Sequence, residues 1–207
     1  MARCWVSPTG ATRRTEMNLA DILGLIEGAP DAPLGRLVRG AQSAKAGAAL
    51  RGMTVKDLLG SAKNDRAARA VLAGVWAAAD GFEEAHGIAQ EIEGEWGDWW
   101  HAILHRREPD YPNAMYWYRK VRAPAAVWSD LGQRALAVLG PPPPPGLESL
   151  ADSLQKSGHW EPGPYVRLCE QAQAGTLTPA ATAMLVALQR LEWRTWLDHC
   201  HKTSISG

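Results

Sequence analysis

Residues 80–122 read DGFEEAHGIAQEIEGEWGDWWHAILHRREPDYPNAMYWYRKVR, and the periods inside that stretch decide the fold. Phe82, His86, Ala89 and Glu93 extend a stripe opened by Val71, Val75 and Ala79. Its steps of three and four are the period of a helix face. A helix over 65–93 is expected, with His86 on its inward side. Gly81 and Gly87 each weaken it by about 1 kcal/mol relative to alanine. GEWGDW reads as a turn, with Asp98 as the cap of a helix over 99–107. Pro109 and Pro112 end that helix and start another running to about Val121, because proline fits a first helical turn and breaks an interior one.

The same period recurs on both sides. Leu19, Ile22, Leu23 and Ile26 share a face over 18–27. A short helix over 32–39 is expected after an Asp31 cap, a weak helix or loop over AQSAKAGAALRG, and a Thr54-capped helix through Leu59. Val127, Leu131, Ala135 and Val138 mark another helix, followed by the polyproline run 141–145. That run must be extended and makes 141–146 a stiff connector. Leu147 to Leu154 and Tyr165 to Ala174 are helical, stopped by Gly158 and Gly175. Thr178-Pro179 opens a helix over 179–201 about 34 Å long. No alternating strand pattern occurs. The expectation is an all-α protein: one bundle-like domain of seven to nine helices over 17–201, a disordered lead over 1–16 and a frayed tail over 202–207. Met17 stands just before the first amphipathic stretch and is an alternative start to Met1.

Lysine plus arginine and aspartate plus glutamate both number 22, so the formal charge is zero. That argues against a nucleic-acid binder, which carries a basic excess, and against a polybasic membrane anchor. No apolar run reaches the roughly 18 residues of a membrane span. Cys4, Cys169 and Cys200 are odd in number and form no CxxC. A reducing, cytoplasmic setting with buried, inert thiols is the simple reading.

Chemistry concentrates in the stretch quoted first. Three of the six histidines and five of the ten tryptophans lie between His86 and Trp128. His101 and His105 are four apart, so a helix sets them on one face. Packed antiparallel against the preceding helix, they meet His86. Three imidazoles suit Zn(II), Fe(II) or Mn(II) with a position left open. Glu84, Glu91 or Glu108 supplies a further ligand or a general base, and Tyr116 a hydroxyl donor. The alternative is that these histidines are interior groups bonding Asp110, Tyr116 or a carbonyl. Arg106, Arg107 and Arg119 also have two readings. They form an internal ion-pair network with the nearby acids, or they clamp a small anion, helped by Asp110 and Asn113 at the next helix start. Trp96, Trp99 and Trp100 wall a pocket or fill the core. His199 and His201 are two apart, the wrong step for one helical face. No nucleophile elbow, phosphate loop, dinucleotide fingerprint or zinc-finger spacing occurs.

The run HAILHRREPDYPNAMYWYRKV resembles a motif of a family of helical, mostly bacterial proteins, HAIxHRREPDYxNAxYW[FY]R. DGFEEAHGIAQEIE is similar to the upstream part of that motif at Asp80, Glu84, His86 and Gln90. YVRLCE (165–170) and LQRLEW (188–193) also resemble it, so the likeness spans about 65–201. It implies a helical fold and no particular activity. It also marks His86, His101, His105, Arg106, Arg107, Glu108, Asp110, Asn113, Tyr116 and Arg119 as the residues to test. Taken together, the sequence suggests a metal-dependent hydrolase or oxygenase acting on a small anionic substrate. The alternative is a non-catalytic helical module that binds a ligand or protein partner, with the motif as a polar core.

Overall fold

The computed structural model describes residues 17–27 and 33–206. The lead over 1–16, Cys4 and the Asp31 cap lie outside the described residues. Within them the chain is helical with no strand. Eleven α-helices occur, more than the seven to nine expected. They are α1 (Leu19–Glu27), α2 (Ala44–Leu50), α3 (Val55–Leu59), α4 (Asp65–Ala78), α5 (Phe82–Gln90), α6 (Glu95–Arg107), α7 (Tyr111–Lys120), α8 (Ala125–Leu139), α9 (Glu148–Ser157), α10 (Pro162–Gln173) and α11 (Pro179–Ser206). No described helix is long and apolar enough to cross a membrane.

The extra helices have local causes. AQSAKAGAALRG contains a real helix, α2, because the Ser43 hydroxyl accepts from Ala46 N at 3.3 Å and caps it. Asp57 and Thr54 form a capping box at α3. The helix expected over 65–93 is two helices. Asp80 sits at φ 58°, in the left-handed region, and turns the chain between α4 and α5. Of the helix expected over 32–39, the described residues 33–39 hold only a short 3-10 turn at Pro33–Gly35.

GEWGDW is not a turn. α6 begins at Glu95 behind Gly94, whose φ of 78° suits glycine. Asp98 therefore lies inside the helix rather than capping it. A Cβ on Gly97 would stand 2.3 Å from the Ile92 carbonyl oxygen and 2.4 Å from that of Ala89. Only glycine lets α6 approach the end of α5 this closely.

The neighbours along this seam follow one order. Gly97 meets Ala89, His101 meets His86, and His105 meets Phe82. α5 and α6 thus run antiparallel, as expected. α7 folds back along α6 in the same way: Lys120 pairs with Asp98, and Trp117 stacks on His101.

α11 packs along α4 and α8. Trp193 on it donates its indole N–H to the Gly74 carbonyl at 2.8 Å. Trp99 is sandwiched between Trp196 and Trp128, with ring centroids 4.4 Å apart on each side. Trp99 and Trp100 are fully buried, so they fill the core instead of walling a pocket. Cys169 and Cys200 are buried, and burial raises both thiols, Cys169 to about 11. Of the tail expected to fray, the described residues 202–206 are the last turn of α11: Ser204 is buried, and its carbonyl accepts from Lys63 N at 2.7 Å and Asn64 N at 3.2 Å.

Candidate metal centre

His86 comes from α5, His101 and His105 from α6. Each offers one ring nitrogen, and those three atoms lie within 4.8 Å of one another. The centroid of His86 is 4.7 Å from that of His101 and 5.4 Å from that of His105. His101 and His105 lie one turn apart, their rings nearly parallel at 6.0 Å. Two ligands held at about 2.0–2.1 Å by one ion stand at most about 4.2 Å apart. Small ring rotations would bring the three nitrogens within that span.

The surroundings of His86 and His101 favour the neutral imidazole, the form that ligates. His101 is 3% exposed. Burial, reinforced by His86, His105 and Lys120, lowers its pKa to about 3. Burial and His105 also lower that of His86, with Glu83 and Glu108 opposing. His101 Nδ1 is buried with no hydrogen-bond partner among the described residues. A buried polar atom without a partner is costly and calls for an explanation. A ligated ring supplies one.

Two aromatic rings border the set. Phe82 stacks on His86 at 5.5 Å and turns its edge toward His105 at 6.3 Å. Trp117 stacks on His101 at 4.1 Å. Each also carries a cation, Arg39 at 4.4 Å from the Phe82 centroid and Lys120 Nζ at 4.0 Å from that of Trp117. His86 is only partly buried, so the set is reached from solvent on the α5 side.

Glu108 fits behind the ligand set. Its Oε2 lies 3.3 Å from His105 Nδ1, and its Oε1 accepts from Arg39 at 3.4 Å. With Nδ1–H donating to that carboxylate, Nε2 keeps the lone pair that a metal needs. No carboxylate among the described residues joins the three nitrogens. Glu84 is exposed and accepts from Gln42 Nε2 at 3.3 Å. Glu91 pairs with Arg69, and Glu93 with Arg66 at 3.4 Å. Glu83 is the acid of α5 that acts on His86.

The arginines separate into two kinds. Arg106 is buried, with NH2 2.6 Å from Glu192 Oε2 and NH1 2.9 Å from Gln189 Oε1. Tyr118 donates to Glu192 Oε1 at 2.6 Å, and Tyr165 donates to the Leu185 carbonyl at 2.9 Å. This network ties α6 and α7 to α10 and α11. Arg107 is buried against Asp80 at 2.6 Å, and donates to the Ala77 carbonyl at 3.0 Å. Of the two readings for Arg106 and Arg107, the structure shows the internal ion pairs, because both guanidiniums are closed off by protein acids.

Arg119 is exposed on α7, two residues from Trp117 and so on a different side of the helix from the ring that stacks on His101. Asp110 caps α7, accepting from Asn113 N at 3.3 Å. Tyr116 is 51% exposed, edge-on to Trp117. Tyr118 of the same helix is instead buried, against Arg106 and Glu192. Arg39 and Glu192 lie far along the chain from the motif, and nothing in their local pattern announces their partners. Phe82 was legible as stripe but not as the ring against His86. No protein-family model matches the chain, and no curated protein and no solved structure matches it.

Proposed function

We propose that His86, His101 and His105 hold one divalent transition metal, and that this centre makes the chain a metal-dependent enzyme of the hydrolase or oxygenase kind. The observation that carries the reading is the convergence of three ring nitrogens from two helices within 4.8 Å. Zinc, ferrous iron and manganese all accept such a set.

Three neutral imidazoles leave the charge of a divalent ion uncompensated and a coordination position open. Such an ion supplies Lewis acidity toward a bound water or oxyanion. The chain's own residues supply the rest. Glu108 orients His105, and Phe82 and Trp117 fix the ring planes and exclude water from them. Lys120 and Arg39, with side chains 43% and 39% exposed, are each paired with one acid, Asp98 and Glu108, and keep further N–H donors beside the centre. Those donors favour a small anionic substrate.

A second reading has its own observation. The ion pairs Arg106–Glu192 and Arg107–Asp80 are buried structural links, so a large part of the motif serves the fold. In that reading the same region is a non-catalytic module with a polar core. Metal content separates the two. Purified protein reconstituted with Zn(II), Fe(II) or Mn(II) is expected to hold about one ion per chain, lost in the double variant His101→Ala/His105→Ala while circular dichroism stays helical. A native protein that retains no metal contradicts the enzyme reading.

A further inference from the structure

A second site lies on another face, away from α5, α6 and α7. The end of α1, the 3-10 turn, α8 and α11 enclose a cavity of about 450 Å³, within the size range of small-molecule sites. Its floor is apolar: Ile26, Leu34 and Trp193 are each at most 5% exposed. Its rim carries three arginines, Arg134, Arg190 and Arg194, against one lining acid, Glu27.

The partners of those arginines show where charge is left over. Arg194 is occupied twice, by Glu27 at 3.1 Å and Asp198 at 2.9 Å. Arg134 is held by Asp130 at 3.2 Å and by the Thr195 hydroxyl at 3.1 Å. Arg190 uses only its Nε, donating to the Leu34 carbonyl at 3.2 Å. Its terminal nitrogens face no acid among the described residues, and the guanidinium is anchored by one edge. A guanidinium fixed in this way presents its remaining fork for bidentate contact with a carboxylate. Arg194 already holds the Glu27 carboxylate at the same rim.

We infer that this cavity binds an amphiphilic monoanion: an apolar body on the Ile26, Leu34 and Trp193 floor, with a terminal carboxylate held by Arg190. The apolar floor rewards the tail by area removed from water. The arginine sets the orientation and favours the carboxylate over the uncharged analogue, which forms no charge-assisted hydrogen bond with it. Neither feature depends on the histidine centre.

The test uses the full chain and isothermal titration below micelle-forming concentrations. Decanoate is the probe, with decanol and acetate as controls that remove the charge and the tail in turn. Saturable one-to-one binding of decanoate is expected, at least about tenfold tighter than either control. Arg190→Gln is expected to weaken it by about tenfold or more, as loss of a charged hydrogen bond does. Arg190 is exposed, so that variant keeps the fold, checked by an unchanged melting temperature. Arg167→Gln, an exposed arginine of α10 outside the cavity lining, is expected to leave decanoate binding unchanged. Equal binding of decanol removes the role of the charge, and equal binding of acetate removes that of the floor. Decanoate binding that survives Arg190→Gln unchanged, or no binding at all, overturns the inference.

Discussion

His101 is stacked on Trp117, faced by two other imidazoles and closed off from water. Its pKa and that of His86 lie below the unfolded value of 6.5. Between the folded and unfolded values the unfolded chain binds more protons, so stability rises with pH there. The metal-free protein is therefore expected to lose stability as pH falls from 6.5 toward about 3. Melting temperatures between pH 7 and 5, where most carboxylates stay ionised, check this. His101→Phe keeps a ring on Trp117 and removes one titrating group, so its melting temperature should vary less with pH. A variant slope equal to the native one contradicts the assignment. Glu108→Gln keeps the shape but weakens the grip on His105 Nδ1. Metal affinity should fall about 10- to 100-fold with the helix content unchanged, measured by competition with a chelator. At this scale the sequence showed which histidines share a face, because helical spacing is local. It did not show that Arg106 answers to Glu192 or Arg107 to Asp80. Those pairs join residues far apart in the chain, and any of several acids would have satisfied the same pattern.

The α5–α6 seam is the element on which the centre depends. Gly97→Ala drives a methyl into two backbone carbonyls, which cannot swing aside as a side chain does. It should cost at least about 1–3 kcal/mol and lower metal affinity as well, since the seam sets His86 against His101. Urea unfolding and chelator competition read the two effects separately. Glu192→Ala strands a buried guanidinium and should cost about 3–5 kcal/mol in urea unfolding. Arg106→Met/Glu192→Leu removes both charges and should cost less. Helix type was legible from the apolar period. Helix ends were less so. The turn at Asp80 depends on a left-handed residue held by a buried carboxylate, and a glycine reads equally well as a break or as a close approach. Gly94 is the first and Gly97 the second.

Over the whole molecule, α11 joins distant parts. Its final turn accepts the Lys63 and Asn64 N–H groups at the start of α4. Truncation after Lys202 should therefore cost about 1–3 kcal/mol, two ordinary hydrogen bonds, and speed amide exchange at Lys63 and Asn64. A frayed tail predicts no change in either. The all-helical architecture was legible because no segment alternates. The last turn was misread because KTSISG is polar, and its burial at Ser204 comes from a partner loop rather than from its own pattern. The central claim is that three histidines from two helices form one metal site. Its most direct measurement is elemental analysis of reconstituted native protein beside His101→Ala/His105→Ala, each checked by circular dichroism. The account predicts about one divalent ion per native chain and none in a still-helical variant. No ion in the native protein, or equal metal in both, would contradict it.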